Sequence, residues 1–262
     1  MKVLSENIIN LNEKKYALTL KNRKDIFQSY FQRGHEELGI TDKSLLKHDA
    51  FPLLCRFSSM SFQTVADEET APLVIKSDNN LNDLDTLFQT PIQVFKSEIK
   101  SLRIDSPMSY CVLVLCLLFN GKLPKRDLLY SNKHKSLLKD CYGVCGLNRG
   151  TPIKTLSDIA KSLTDVYLKE DDGTLMFIHD IIMDIVSVCF GEHSPDIILK
   201  HADIEVIINR VLLKKITTET TGYRIFIPEH HHVDFFHRLC TEIENGNALQ
   251  VFNHCQLEIH WV

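Results

Sequence analysis

The stretch that decides the fold is Val166-Tyr-Leu-Lys-Glu-Asp-Asp-Gly-Thr-Leu-Met-Phe-Ile-His-Asp180, which runs directly into the apolar segment 181–190. Two short strand-like runs flank Asp171-Asp172-Gly173, and this order predicts a β-hairpin with an acidic turn. The second run stops at His179-Asp180, where a helical apolar pattern begins. Asp180 suits this start, because a carboxylate accepts hydrogen bonds from the free N–H groups of a first helical turn.

Helical patterns lie upstream of this hairpin. Phe95, Ile99 and Leu102 fall on one helical face. Ser106-Pro107 opens an apolar helix that ends near Phe119 and is closed by Asn120-Gly121. Further helices are predicted over 135–142 and 155–163, with a short helical turn from Leu123. Because a hairpin placed among helices is typical of the wing of a winged helix, residues 91–190 are predicted to form a winged-helix domain.

The chain is predicted to divide into four segments. Residues 1–62 form a small helical domain, with one helix over 20–32 and another that begins at Phe51-Pro52. Residues 63–90 are polar and weakly patterned, which indicates a linker or long loop. After the segment 91–190, residues 191–262 form a second helical region. The predicted fold is therefore mainly α, with a small β-hairpin wing.

The second helical region is predicted to contain helices from Ser194-Pro195, over 204–213, near 233–244 and over 248–254, with a lone strand over 223–227. Residues 229–262 are consistent with the first helices of a repeat array, which would leave an apolar end exposed. The candidates for that face are Phe235, Phe236, Cys240 and Trp261.

Composition limits the class of protein. The net charge of −4 provides no basic field that would attract nucleic acid or anionic lipid. The longest apolar stretch, 110–119, is too short to span a bilayer and is not placed as a signal peptide. Of eight cysteines, Cys55, Cys111, Cys116 and Cys189 lie in apolar helical patterns, where a thiol packs as a small hydrophobe. These features predict reduced thiols and a cytoplasmic location.

Motifs for catalysis or metal binding are incomplete. The segment 34–41 fits the phosphate-loop template except that Ile40 replaces the lysine, so it is interpreted as a helix end and turn. The run 175–180 has the form of a strand ending in a metal-holding aspartate, but no phosphate loop accompanies it. Cys141 and Cys145 have the wrong spacing for a zinc pair. Histidines and cysteines also concentrate in the C-terminal region, without diagnostic spacing: His230, His231, His232, His237, Cys240, His254 and Cys255. No metal site and no enzyme are predicted.

A winged helix commonly binds DNA through a recognition helix. The helix in that position is about 155–166, where Lys154 and Lys161 are set against Asp158 and Asp165. The tip of the wing, Glu170-Asp171-Asp172, has the wrong sign for a phosphate contact. A standalone winged-helix nucleic-acid-binding protein is therefore the alternative interpretation and not the leading one.

The order of motifs carries a resemblance over about residues 20–255. It comprises Phe51-Pro52-Leu-Leu-Cys-Arg-Phe57, the helix over 106–119, Cys145-Gly-Leu, the helix over 155–166, the wing with Phe177-Ile-His-Asp180, the run 194–203 and Ile225-Phe-Ile-Pro228. In this order the chain resembles the regulatory half of NLR-like STAND-class ATPases, most closely the large invertebrate groups. The resemblance implies a role in signal transduction or innate immunity.

The resemblance also implies site residues. The family's G-x-P motif, whose proline packs on adenine, corresponds to Ala50-Phe51-Pro52, so Pro52 is a candidate adenine contact. Its M-H-D motif, whose histidine holds the ADP phosphates in the closed state, corresponds to Ile178-His179-Asp180. His179 is then a phosphate contact, and Asp180 supports the local geometry as a helix cap. A histidine that is partly buried and bonded to a backbone carbonyl is the alternative for His179.

The family's phosphate loop and metal-binding aspartates have no counterpart in this sequence, and they are expected upstream of Met1. We therefore expect that the chain alone has no cofactor and neither hydrolyses ATP nor binds ADP tightly. ADP or ATP is implied only in a full-length context. The expected partners are proteins, namely a STAND ATPase core or a signalling assembly, with no membrane partner.

Overall fold

The computed structural model describes residues 18–32, 34–47, 51–52, 54–56, 59, 88, 90–125, 134–213 and 223–254. The chain divides into two compact units, Met1–Val94 and Phe95–Val262. The described residues are mainly helical with a small antiparallel sheet, as the sequence predicted. The four predicted segments stay a prediction, because nearly all of 63–90 lies outside the described residues.

The first unit contains α1 (Leu20–Phe31) and α2 (Asp42–Leu46), and residues 51–52, 54–56 and 59 are also helical. Thr19 caps α1 by accepting a hydrogen bond from the Asn22 N–H at 3.2 Å. The core is aromatic: the Phe27 and Phe51 rings each lie 5.7 Å from the Phe88 ring. The predicted helices over 20–32 and from Phe51 are therefore confirmed.

The second unit is built around a buried helix. It contains most of α3 (Pro91–Asp105), followed by α4 (Pro107–Leu118), in which every residue from Ser109 to Leu118 is buried. Asn120 and Gly121 end α4 with φ of 53° and 74°, the conformation expected from this pair. The α3 face formed by Phe95, Ile99 and Leu102 is buried as predicted.

A three-stranded antiparallel sheet follows in the order β1-β3-β2, built from β1 (Lys122–Pro124), β2 (Leu168–Asp171) and β3 (Thr174–Phe177). Asp171 pairs with Thr174, so the turn between β2 and β3 has two residues. These are Asp172 and Gly173, with φ of 43° and 70°, which is the type I′ geometry favoured in hairpins. The predicted hairpin is confirmed.

The helical turn predicted from Leu123 begins later than expected, because Leu123 itself lies in a strand, whereas Lys125 is helical. Leu123 lies in β1 and pairs with Leu175, and Pro124 is accommodated because β1 is an edge strand. Residues 126–133 lie outside the described part of the chain. Between β1 and β2 the chain forms α5 (Lys135–Val144) and α6 (Ile153–Ser162), so both helices predicted in this region are confirmed with shifted ends.

After the hairpin come the long apolar helix α7 (Asp180–Gly191), the short helices α8 (Pro195–His201) and α9 (Ile204–Arg210), and the strands β4 (Val211–Leu212) and β5 (Ile225–Phe226). A 3₁₀ turn leads into α10 (His232–Glu244) and α11 (Ala248–Phe252). The helix predicted over 204–213 therefore ends early. The strand predicted to be lone pairs in parallel with β4, with Val211 opposite Ile225.

The exposure of apolar residues corrects one further prediction. Phe235 was expected on an exposed end but is fully buried, because it packs into the interior on α10. Phe236 and Cys240 are exposed as expected, and Trp261 lies outside the described residues.

The four cysteines assigned to apolar helices are buried free thiols. Burial raises the pKa of the Cys55 and Cys116 thiols to about 12, which keeps both protonated near neutral pH. None of the described helices has both the length and the apolarity that crossing a membrane requires.

Candidate functional site

The candidate site lies at the joint between β3 and α7. The Ile178 N–H donates to the Tyr167 carbonyl at 3.0 Å, so the chain is still tied to the start of the hairpin immediately before His179. The helix α7 then begins at Asp180. His179 is therefore held on one side by strand pairing and on the other by a helix whose following residues are buried.

His179 is the N-cap of α7. Its backbone is extended, with φ −155° and ψ 143°, and its Nδ1 accepts a hydrogen bond from the Ile181 N–H at 3.1 Å. Our prediction that Asp180 caps the helix is corrected by this contact. Asp180 is already inside the first turn, and the residue with the non-helical conformation that a cap requires is the histidine before it. The carboxylate of Asp180 still lies near the positive end of the helix dipole.

This cap fixes the tautomer of the histidine. An Nδ1 that accepts a hydrogen bond carries no proton, so the proton of the neutral ring is on Nε2. The side chain of His179 is exposed, so Nε2–H is presented as a donor at the surface rather than bonded to an interior carbonyl. An anionic oxygen is a suitable acceptor for such a donor. A doubly protonated ring cannot serve as the cap.

An acidic face continues along α7. Asp184, four residues after Asp180, accepts from Arg210 Nη2 at 2.8 Å. Burial raises the pKa of Asp184 above its ordinary value, the Arg210 guanidinium opposes this rise, and the Asp180 charge adds to it. Because Arg210 is the last residue of α9, the ion pair ties the first part of α7 to α9.

The third predicted site residue is in the other compact unit of the chain. Pro52 belongs to the first unit, whereas His179 and Asp180 belong to the second. Its side chain is exposed, and that of the adjacent Phe51 is fully buried. A buried aromatic neighbour fixes this helical position and leaves the proline ring on the surface. Ala50, the first residue of the motif, lies outside the described residues.

The charged surface near the hairpin is acidic at its tip. Glu170, Asp171 and Asp172 are all exposed, and Glu170 forms an ion pair with Lys125. On α6, the Lys161 ammonium lies 3.4 Å from Asp158, which reduces its availability to another anion. The predicted acidic tip of the hairpin is therefore exposed.

The C-terminal histidines make contacts within the protein. His231 Nδ1 lies 3.0 Å from the Asp234 carboxylate, and His232 Nε2 lies 3.2 Å from the Ile227 carbonyl. His254 is buried, with Nε2 3.0 Å from the Val211 carbonyl. These histidines serve the local packing of α10 and α11. Cys255 lies outside the described residues.

The segment 34–41 forms a turn, as its sequence was interpreted, with Gly39 at φ 71° and Thr41 as the cap of α2. This turn contains a cluster that the sequence did not predict. Within the described ranges, His35, Glu36 and Asp42 are the group whose ligand atoms lie close enough together to hold one metal ion. Their spacing in the sequence matches no common metal motif, and their side chains come together only in the folded turn.

Comparison with protein families, with curated proteins and with solved structures finds no match to this chain.

Proposed function

We propose that the chain is a non-catalytic regulatory and protein-interaction module of an NLR-like STAND signalling switch. In this role, the joint between β3 and α7 contributes one side of an ADP-sensing site. The observation that carries the proposal is His179, whose Nδ1 is engaged as the helix cap and whose Nε2–H is thereby presented outward as a donor. This is the histidine at which the resemblance places the phosphate contact.

The element order supports a winged helix at this place. The chain runs α4, β1, α5, α6, β2, β3, and β1 joins the sheet beside β3. Among the described residues, the helices α5 and α6 lie between the first strand and the hairpin, and such an order is that of a helix-turn-helix extended by a wing. The wing then ends at His179, and α7 connects it to the helices that follow.

The chemistry of such a site is that of phosphate retention. A hydrogen bond from an imidazole N–H to an anionic oxygen contributes about 1.5–3 kcal/mol when its partners are prepositioned. His179 meets that condition, because strand pairing precedes it and its own ring is fixed by the helix cap. The resemblance places the adenine contact at Pro52, whose side chain is exposed.

Loss of ADP would remove the contact that favours one arrangement of the hairpin. In the proposed switch, the wing and α7 then move as a rigid body and exchange one packed interface for another. The Arg210–Asp184 ion pair ties α7 to α9, so α9 is proposed to move with this body. The proposed partner is a STAND ATPase core that supplies the phosphate loop, either within one polypeptide or in a second one.

A test of this proposal is to map the transcript 5′ of the Met1 codon. A continuous reading frame that contains G-x-x-x-x-G-K-[ST] supports the proposal that His179 contacts a nucleotide. An in-frame stop close above Met1 overturns the single-chain form of the proposal. Docking in trans is then tested by mixing the purified chain with a purified STAND-type core, and absence of a complex contradicts that form too.

The alternative is a standalone winged-helix nucleic-acid-binding protein, which the same element order favours. Duplex DNA binding requires cations that neutralise phosphates, and it weakens steeply with salt. The exposed acidic hairpin tip and the Asp158–Lys161 pair oppose it. We expect no salt-sensitive retention on duplex DNA. Retention that falls with salt, and is lost in K154A/K161A, would favour the alternative.

A further inference from the structure

The turn between α1 and α2 brings a histidine and two carboxylates together. His35 Nε2 lies 2.8 Å from Asp42 Oδ1 and 3.8 Å from Glu36 Oε1, and the three ligand atoms all lie within 4.8 Å of one another. We infer that His35, Glu36 and Asp42 form a binding site for a divalent transition-metal ion, of which Zn²⁺ fits best. The site lies in the first unit, and it is independent of the function proposed for the joint at His179.

The distances suit zinc after a small adjustment. Ligand atoms bound about 2.0–2.1 Å from a tetrahedral zinc ion lie about 3.4 Å from one another. The two distances from His35 Nε2, 2.8 and 3.8 Å, lie on either side of that value. The side chains of Glu36 and Asp42 are 80% and 48% exposed, so both carboxylates have room to rotate around an ion. Imidazole nitrogen with carboxylate oxygen is also a ligand set that zinc accepts.

The histidine is the fixed member of the set. Its side chain is only 8% exposed, and its ring packs edge-on against Phe27 with 6.3 Å between the ring centroids. The His35 carbonyl accepts hydrogen bonds from the Leu38 and Ile40 N–H groups at 3.2 and 2.9 Å, which closes the turn around this residue. A ligand whose orientation is set before binding loses little entropy when the ion arrives.

The local charge attracts a cation. The Lys24 ammonium already lies 2.8 Å from Asp42 Oδ1, the same oxygen that faces His35. With the imidazole neutral, the two carboxylates outweigh this one ammonium by one negative charge. His35 Nε2 carries at most one proton, and it hydrogen-bonds Asp42. Glu36 Oε1 lies 3.8 Å from the same nitrogen, which is too far for a hydrogen bond. A divalent ion would engage both carboxylates together and displace Lys24.

Isothermal titration calorimetry tests the site. The full chain is first treated with a chelator and is then titrated with ZnCl₂ in a buffer that does not bind zinc. We expect one zinc per chain, and we expect H35Q to abolish binding. Even changes outside the ligand shell typically lower metal affinity by about 10–100-fold, so E36Q and D42N should each weaken binding by at least that much. K24M removes the competing cation and should tighten binding severalfold.

Controls separate this site from the other histidines and from unfolding. The matched control is the H230Q/H231Q double variant, which removes two adjacent C-terminal histidines and should bind zinc like the wild type. Because His35 is buried, E36Q and K24M test the site at partly or fully exposed positions, where the fold is not at risk. Absence of zinc binding by the wild type overturns the inference. Full-strength binding by E36Q, or binding lost in H230Q/H231Q, overturns it equally.

Discussion

The two sheets of the second unit differ in how far apart their partner strands lie in the sequence. β2 and β3 are joined by two residues, and the turn geometry itself sets their antiparallel register. β4 and β5 are parallel, and their paired residues, such as Val211 and Ile225, lie far apart in the sequence. A parallel pair needs such a long connection and is supported by packing on its faces. The hairpin thus depends on local turn chemistry, and the parallel pair depends on tertiary contacts.

The largest effect is expected where the parallel pair packs on α7. A Cβ added at Gly191 would lie 2.4 Å from Cγ2 of Ile225, a branched side chain with little freedom to move. Overpacking of this kind costs about 1–3 kcal/mol, and we expect G191A to lower the free energy of unfolding by about 2–3 kcal/mol. Denaturant unfolding of G191A and the wild type measures this difference in the free energy of unfolding.

The matched control for G191A is G143A in α5. A Cβ added at Gly143 meets nothing within 4 Å, so the higher helix propensity of alanine should raise the free energy of unfolding by up to about 1 kcal/mol. Equal responses of G191A and G143A would contradict the close approach of α7 and β5.

The next-largest effect is expected in the β2–β3 hairpin, whose register depends on local turn geometry. Gly173 has φ +70°, and there is open space around its Cα, so the strain of a side chain there comes from the backbone alone. We expect G173A to lower the free energy of unfolding by about 1–2 kcal/mol. The control D172N keeps a residue that tolerates positive φ and should change stability by less than about 0.5 kcal/mol. A neutral G173A would mean that turn geometry does not set the hairpin.

The cap at His179 tests the junction between the hairpin and α7. H179A leaves the Ile181 N–H without its acceptor and should lower the free energy of unfolding by about 1 kcal/mol. H179D supplies a carboxylate at the cap position and should remain within about 0.5 kcal/mol of the wild type. The comparison of the two variants by denaturant unfolding isolates the cap. Equal losses in both would show that the imidazole is needed for something other than capping.

The smallest effect concerns the ion pair that links α5 to α8. Asp140 on α5 accepts from Lys200 and lies beside His201, both on α8, and these hydrogen bonds lower the pKa of Asp140 to about 2. A lowered folded-state pKa gives stability that is present above the ordinary value of 3.8 and is lost as pH falls toward 2. Since Lys200 is exposed, we expect only about 0.5 kcal/mol.

The pH dependence of D140N measures that contribution. D140N should remove part of the stability that the wild type loses between about pH 4 and pH 2, and D158N, at an exposed pair on α6, should leave the curve unchanged. A wild-type curve retained in D140N would contradict the bridge.

The parts of the fold that follow from short-range signals were predictable. Asp172-Gly173 demands a turn with positive φ, and Ser106-Pro107 with Asn120-Gly121 marks the start and end of α4, so these features were located from sequence. Leu123 was assigned to a helical turn because its strand partner, Leu175, lies far along the chain. The end of α9 was placed too late for the same reason, since Val211 pairs with Ile225.

The candidate site shows the same limit at finer scale. His179 and Asp180 were located from sequence, but the capping role was assigned to Asp180. The preference of carboxylates for helix starts favours Asp180, while only the backbone conformation identifies His179 as the residue before the first turn. His35, Glu36 and Asp42 were not predicted at all, because the Gly39 turn and the packing of Phe27 decide that their side chains meet.

The measurement that tests the proposed function most directly is the ADP content of this chain together with its proposed STAND-type ATPase core, as one polypeptide or as a complex of two, purified as wild type and as H179D. H179D keeps the helix cap but places a carboxylate where the phosphates are proposed to bind. We expect the wild type to retain ADP through purification, and H179D to lose it without a loss of folding stability. ADP retained equally by H179D, or a wild type that carries none, would contradict His179 as the phosphate contact.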